Sequence, residues 1–315
     1  MSLGIIVLGV LLTRDWFGPG PAKAAGLLLA CWPSQIEFTT VLASETYFNF
    51  LVLLGIWAWS RRSWPTALRG AAAGLALAGA SYVRPLALLV PAVLVGCDLL
   101  RRERMGATLA LAAVAGIAML AAILPWSYRN TRVFDRFVLI STNGGTNFWM
   151  GNHPGAQGDY EQLPEWTKGM NEVDREIALK KQAKEYIQDQ PAAFAVRTLK
   201  KLVSTHDRET IGVAWNPGLR ERFGARAESI AKGLSTAFWW GALALGLVGA
   251  LLLLRREGFR GWASSPAVAF WAYFALTCSV IVAQDRYHFP SIPFIAALAG
   301  LTLSRRATPM GGTAR

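Results

Sequence analysis

The sequence predicts an all-α polytopic membrane protein, a transmembrane helix bundle carrying one extramembrane domain of helix and loop. Three observations carry this expectation. Nine apolar segments run along the 315 residues, and one long hydrophilic block, 126–232, interrupts them. Hydrophobic residues make up 53% of the chain, above the usual share for a water-soluble domain, and they cluster in blocks near the ~20 residues a spanning helix needs. A buried bundle in water would need polar helix faces, and these segments lack them.

In chain order the apolar segments are 2–12, 22–42, 46–59, 65–83, 86–100, 106–124, 234–254, 266–283 and 287–303. They divide the chain into six helices over 1–125, an extracytoplasmic domain over 126–233, and three helices with a short tail over 234–315. The net charge of +12 raises nucleic acid as a partner, but its distribution argues against that. The hydrophilic block holds 16 Lys and Arg against 13 Asp and Glu, whereas the rest holds 16 against 7, in short loops. Fourteen of those latter 16 fall in alternate connections: Arg14 and Lys23; Arg61, Arg62 and Arg69; Arg101, Arg102 and Arg104; Arg255, Arg256 and Arg260; Arg305, Arg306 and Arg315. Lys and Arg in short loops stay cytoplasmic. The expected location is the cell (cytoplasmic) membrane, with the C-terminus inside and the large block outside.

That topology starts Met1 on the outer face, in a segment about half a bilayer long at ~1.5 Å per residue. The expectation is therefore that sequence is missing upstream. The first residues lack the basic flank and small-residue cleavage site of a signal peptide. Cys31, Cys97 and Cys278 lie scattered in apolar segments and read as small buried side chains, with no spacing that suggests a metal or a disulfide.

Within the block, residues 126–167 are rich in Gly, Asn and aromatics and predict an ordered loop. Residues 171–204 predict helix. One run carries Ile177, Ala178, Ala183, Tyr186 and Ile187 at helical spacing and stops at Asp189-Gln190-Pro191. The next begins with Pro191 in a first turn and sets Phe194, Val196, Leu199, Leu202 and Val203 against Arg197, Lys200 and Lys201. Two placements fit this basic amphipathic helix: along a membrane surface, or packed on the loop domain.

Charges near a bilayer are costly, so the few at the outer ends of the segments are the candidates for chemistry: Glu37, Glu45, Arg84, Asp285 and Arg286, with Arg129 and Arg132. Arginine suits phosphate because its planar fork donates two parallel hydrogen bonds and keeps its charge. Arg84, Arg129 and Arg286, with Tyr287, are the expected contacts to a phosphate. For Arg84 a tie to Glu45 or Glu37 is the alternative. Glu45, at a helix start, complements the helix dipole. His288 is read as a packing residue rather than an acid or base. The Asn143-Gly144-Gly145-Thr146-Asn147 run fits a tight turn or an anion-receiving backbone nest. Asn143, Asn147 and Asn152 are the expected contacts to sugar or acceptor hydroxyls. Asp159, Glu161 and Glu165 read as solvated loop carboxylates without a His partner. No nucleotide-binding or metal-ligand motif is present, and no cofactor or metal is expected.

Several stretches together resemble the GT-C glycosyltransferases, in particular members similar to protein mannosyltransferases and the lipid A aminoarabinose transferase. Leu42-Ala43-Ser44-Glu45-Thr46-Tyr47-Phe48 resembles the family's SET-plus-aromatic helix start, and Ser81-Tyr82-Val83-Arg84-Pro85 its Arg-Pro outer turn. Pro125-Trp126-Ser127-Tyr128-Arg129-Asn130 is similar to its exit into the main outer loop, and 141–160 to the start of that loop. The stretch from Gln190-Pro191 to Lys201 resembles the membrane-proximal helix, and Arg286-Tyr287 with Pro290 and Pro293 the final helix. The resemblance implies inverting transfer of a sugar from a polyprenyl-phosphate donor to a lipid, glycan or protein acceptor at the outer face. It also implies a catalytic aspartate in the first outer loop, for which this chain has no matching stretch. A transporter or flippase for lipid-linked sugars, or a non-catalytic partner, is the competing expectation; charged residues at segment ends rather than mid-membrane favour the enzyme.

Overall fold

A computed structural model describes residues 1–304; the basic residues Arg305, Arg306 and Arg315, read above as cytoplasmic, lie outside the described residues. Helix accounts for 80% of the structure, with no strand among the described residues, so the all-α expectation holds at that level. The chain forms two compact units. Unit 1 comprises Met1–Leu120, Glu209–Tyr273 and the chain from Phe289; unit 2 comprises Ala121–Arg208 and Phe274–His288. These units do not follow the three expected spans, because Glu209 onward joins unit 1 and Phe274–His288 joins unit 2.

Unit 1 begins with α1 (Ser2–Phe17) and α2 (Pro19–Ala30), separated only by Gly18 at φ 89, a left-handed conformation that a Cβ would resist. The segment expected over 22–42 is not one span. It breaks at Trp32, which is extended ahead of Pro33, and resumes as the five-residue α3 (Pro33–Glu37). Proline lacks the N–H that would continue the ladder and pushes the preceding residue out of helical geometry. Cys31, expected inside, is exposed at this break. There follow α4 (Ser44–Ser60), α5 (Thr66–Val83), a 3-10 helix (Pro85–Leu89), α6 (Val90–Leu100) and α7 (Met105–Phe134), which runs from unit 1 into unit 2.

α7 corrects the expected loop boundary. It continues through Pro125 and includes the Trp126–Asn130 stretch. The returning chain fastens onto these last turns: Trp126 Nε1 and Asn130 Nδ2 donate to the Ile140 carbonyl at 3.1 and 3.3 Å, and Ser127 Oγ donates to the Val138 carbonyl at 3.0 Å. The loop proper starts at Asp135, at φ 49.

The rest of unit 1 contains α11 (Ile211–Ala214), α12 (Pro217–Ala263), the first part of α13 (Pro266–Val280) and α14 (Ile292–Leu303). α12 starts well ahead of the expected apolar segment and leaves helical geometry at Gly224 and Gly258. Trp32, Phe38, Trp239, Phe289, Ile292 and Ile295 form the centre of the unit's core. Small residues set the helix spacing around it. A Cβ added at Gly74 of α5 would strike the Ala115 carbonyl of α7. One added at Gly249 of α12 would strike the Leu298 carbonyl of α14.

Of the nine expected spans, two helices, α7 and α12, have the length and apolar composition to cross a bilayer. Other apolar segments form shorter helices, among them α13 and the run Pro85–Leu100. Only 28% of the apolar stretch of α7 and 33% of that of α12 is buried.

Unit 2 holds the end of α7, α8 (Gly144–Met150), a 3-10 helix (Glu165–Thr167), α9 (Glu172–Asp189), α10 (Pro191–His206) and the end of α13. The expected helical pair is present. Asn171 caps α9 by accepting from the Asp174 amide at 2.9 Å, and Pro191 opens α10. Trp149 and Met150 of α8, Leu179 and Ala183 of α9, and Val282 make the unit's core.

Replacing Gly249 by Ala should destabilise the protein by about 3 kcal/mol, because the clash is with backbone rather than a movable side chain. Gly116→Ala, where the added methyl meets nothing within 4 Å, should leave stability unchanged or raised, as thermal unfolding in detergent would report.

Candidate functional site

Arg84, in unit 1, follows the last residue of α5. Its Nη2 donates to Glu45 Oε1 at 2.5 Å and to Ser44 Oγ at 3.1 Å. The guanidinium also lies 5.9 Å from the Phe48 ring centroid. Glu45 is 1% exposed, so the pair is largely withdrawn from water. Of the two roles open for Arg84, the geometry is that of the interhelical tie. Glu45 stands in the first turn of α4, but Ala43 is the capping residue and no side chain caps the helix. Its specific partner is Arg84, and deleting either would strand the other charge.

The remaining candidates belong to unit 2. Arg129 is exposed near the end of α7, with its guanidinium 5.0 Å from the Trp126 ring centroid, one turn back. Nη1 donates to Asn130 Oδ1 at 3.0 Å, so an aromatic face and an amide orient a cation that has no ion pair among the described residues. Arg286, half-buried in a 3-10 helix (Asp285–Ser291), stacks on Tyr287 at 5.1 Å. Its Nε donates to Gln284 Oε1 at 2.7 Å, and Nη2 reaches the Tyr287 hydroxyl at 3.4 Å. Arg286 and Tyr287 are thus brought together as expected from their adjacency.

The Asn143–Asn147 run is the start of α8 rather than an open turn. Its backbone does receive an anion, and the anion is the chain's own: the Gly145 amide donates to Glu176 Oε1 at 3.2 Å, while Thr142 Oγ1 donates to Glu172 Oε2 at 2.9 Å. A Cβ at Gly145 would strike the Glu176 carbonyl, so glycine permits this contact between α8 and α9. Asn143 gives its carbonyl to the Asn147 amide at 3.0 Å. Asn152 is fully buried. Its Nδ2 donates to the carbonyls of Phe148 at 2.9 Å, Val280 at 2.8 Å and Ile281 at 3.3 Å, which leaves its amide no face toward a ligand.

The residue that sequence reasoning missed is the partner of Asn152. Lys201 is 1% exposed, and its Nζ has four oxygen neighbours: Val280 O at 3.0 Å, Asn152 Oδ1 at 3.1 Å, and Gly151 O and Ile281 O at 3.2 Å. Burial, with Arg197 adding to it, lowers this amine to about 8. Four acceptors around one nitrogen suit the three donors of an ammonium better than the two of a neutral amine.

A second correction concerns Glu161, read as lacking a His partner. His153 Nε2 lies 2.7 Å from its Oε2, while Nδ1 lies 2.7 Å from the Pro154 carbonyl. The imidazole stacks on Trp149 at 4.0 Å, so both ring nitrogens and one face are occupied. This is a loop tie rather than an acid or base with an open position. His288 is buried, with Nδ1 2.7 Å from the Thr205 carbonyl and its ring 6.3 Å from His206. Burial first, and His288 second, push His206 down to about 4. Among the described residues no group of three or more His, Cys, Asp or Glu could hold a metal ion.

α10 turns a polar face inward. Lys201 and Thr205 face inward, while Val196, Leu199 and Val203 face out at 55, 63 and 68% exposure. These three residues of the apolar stripe therefore do not pack on the loop domain, whereas Phe194 and Leu202 are half-buried. Compared with protein families, curated proteins and solved structures, the chain matches none.

His206 gives a pH test of this geometry. Its folded pKa of about 4 lies below the ordinary 6.5, so between those values the unfolded chain binds the proton better, and stability falls as the pH drops. His206→Gln should remove up to about 3 kcal/mol of that acid-limb loss. Unfolding curves at pH 7 and pH 4 for both proteins would show the smaller difference in the variant.

Proposed function

We propose that the chain is a multi-pass membrane protein that binds a polyprenyl-phosphate-linked sugar at the outer membrane surface and takes part in transferring that sugar to an envelope acceptor. The observation that carries the membrane part is α7: it is apolar over a spanning length, its apolar stretch is mostly unburied, and near its end Arg129 lies over Trp126. Tryptophan and arginine at a helix end fit the boundary between hydrocarbon and water. The outward stripe of α10 supports the same placement, with that helix resting on lipid. The reaction itself comes from the motif resemblance set out above.

Arg129, Arg286 and Tyr287 are the groups proposed for the donor phosphate, and Arg84 is assigned to its tie with Glu45. In the transfer, an acceptor oxygen attacks the anomeric carbon, the bond from that carbon to the phosphate oxygen breaks, and polyprenyl phosphate departs. Charge builds on that phosphate, and a pre-oriented guanidinium stabilises it where water is scarce. The acceptor proton must pass to a base. The resemblance puts that base on an aspartate in a loop with no counterpart among these residues, so no residue of the chain is assigned to it. Asn143 and Asn147 remain proposed sugar or acceptor contacts; Asn152 does not, its amide being spent inside unit 2.

Binding tests this without depending on the base. In liposomes, Arg129→Ala and Arg286→Ala should each weaken affinity for a short-chain polyprenyl phosphate by about tenfold. Arg286→Ala should also abolish transfer wherever transfer is measurable, with membrane insertion intact. Unchanged affinity in both variants would remove these residues from the site.

A further inference from the structure

The end of α13 poses an accounting problem that Lys201 answers. The last carbonyls of any helix lack partners within it, and near a membrane water is a poor substitute. Here Val280 O and Ile281 O each accept from both Lys201 Nζ and Asn152 Nδ2. Asn152 Oδ1 and Gly151 O complete the ring around the nitrogen. Two glycines leave room for it. A Cβ at Gly151 would fall on the Ile281 carbonyl, and one at Gly158, where φ is +95, would crowd the Lys201 stem. The Ala283 amide then donates to the Gly158 carbonyl at 2.7 Å.

All four oxygens are neutral. Divalent cations are held by sets that include carboxylates, so this ring suits a monovalent charge. The negative end of the α13 dipole adds a further preference for a cation. Gln284 follows Ile281 by three residues along the chain, and it accepts from Arg286 Nε and from the Tyr287 amide, the candidate phosphate contacts.

We propose that Gly151, Asn152, Val280 and Ile281 form an internal site for a monovalent alkylammonium group, filled by the side chain of Lys201, and that its occupancy fixes the segment carrying Arg286 and Tyr287. Lys201 is thus a positioning residue. The cation site stands on geometry alone; its consequence for ligand binding rests on the function proposed above.

Amide hydrogen exchange on the full chain in lipid nanodiscs separates the two. Lys201→Met keeps the stem and loses the charge. It should speed exchange across 280–288 and 151–158 by about tenfold to a hundredfold, the span expected for losing charged hydrogen bonds. Lys201→Ala should do the same, and ethylammonium chloride should restore its protection, while tetramethylammonium chloride, which has no N–H, should not. If Lys201→Ala folds only when ethylammonium is present, that also supports the site. Unchanged exchange in Lys201→Met, equal rescue by tetramethylammonium, or a Lys201→Ala chain that ethylammonium neither folds nor protects would overturn it. In Lys201→Ala, affinity for a short-chain polyprenyl phosphate should fall and return with ethylammonium. Restored protection without restored affinity would refute the link to Arg286, whereas a wild-type chain that binds no polyprenyl phosphate would count against the proposed function and leave the cation site standing.

Discussion

Apolar helix surface that no protein covers is the constraint from which the account follows. Ile117 on α7 and Leu234 on α12 are about two-thirds exposed, at 68 and 66%. At roughly 25 cal/mol per Å² of apolar surface removed from water, two such helices left in water would forfeit the stabilisation that burial gives. In the membrane placement proposed for these helices, lipid takes the place of that water, and the same placement accounts for the manner of packing. Between helices in lipid the gain comes from close contact rather than from expelling water, so small residues belong at the crossings. Gly74 against Ala115 and Gly249 against Leu298 are such crossings.

Burial sets a parallel constraint on the polar groups. Where water is scarce, each backbone carbonyl and each charge must find a partner in the protein. Unit 2 does this with side chains drawn from distant parts of the sequence. Asn152 and Lys201 complete the end of α13, Glu176 receives the start of α8, and Asn130 with Trp126 holds the chain leaving α7. Unit 1 pairs Arg84 with Glu45 in the same spirit. Arg129 is different. It is oriented by a ring and an amide, neither of which neutralises it, and the proposed function assigns its charge to the donor phosphate.

Elements written in local pattern were legible in the sequence. The paired helices α9 and α10 carry their own punctuation in Asn171 and Pro191, and the tie between Arg84 and Glu45 is one of the two roles that their positions at segment ends suggest. The break at Trp32 was signalled by Pro33 but overridden by the apolar run around it. Lys201 was illegible for a physical reason: beside Lys200 on a basic helix it looks solvated, and its partners lie about 50 and 80 residues away. One clue was present. Lys201 and Thr205 fall on the helix face opposite Val196, Leu199 and Val203, so if the apolar stripe meets lipid, the lysine must turn inward. His153 and Glu161 meet only because the intervening loop folds back, which residue spacing does not encode.

Spin labels placed singly along α7 test the central claim most directly. In liposomes, labels at Leu109, Ile117 and Leu124 should collide readily with dissolved oxygen and poorly with a water-soluble nickel chelate. At Tyr128, and at Phe137 just past the helix, the preference should reverse, marking the level at which the chain leaves the hydrocarbon. Nickel accessibility that is uniformly high from Leu109 to Phe137 would contradict a lipid-embedded α7, and with it the interfacial placement of Arg129.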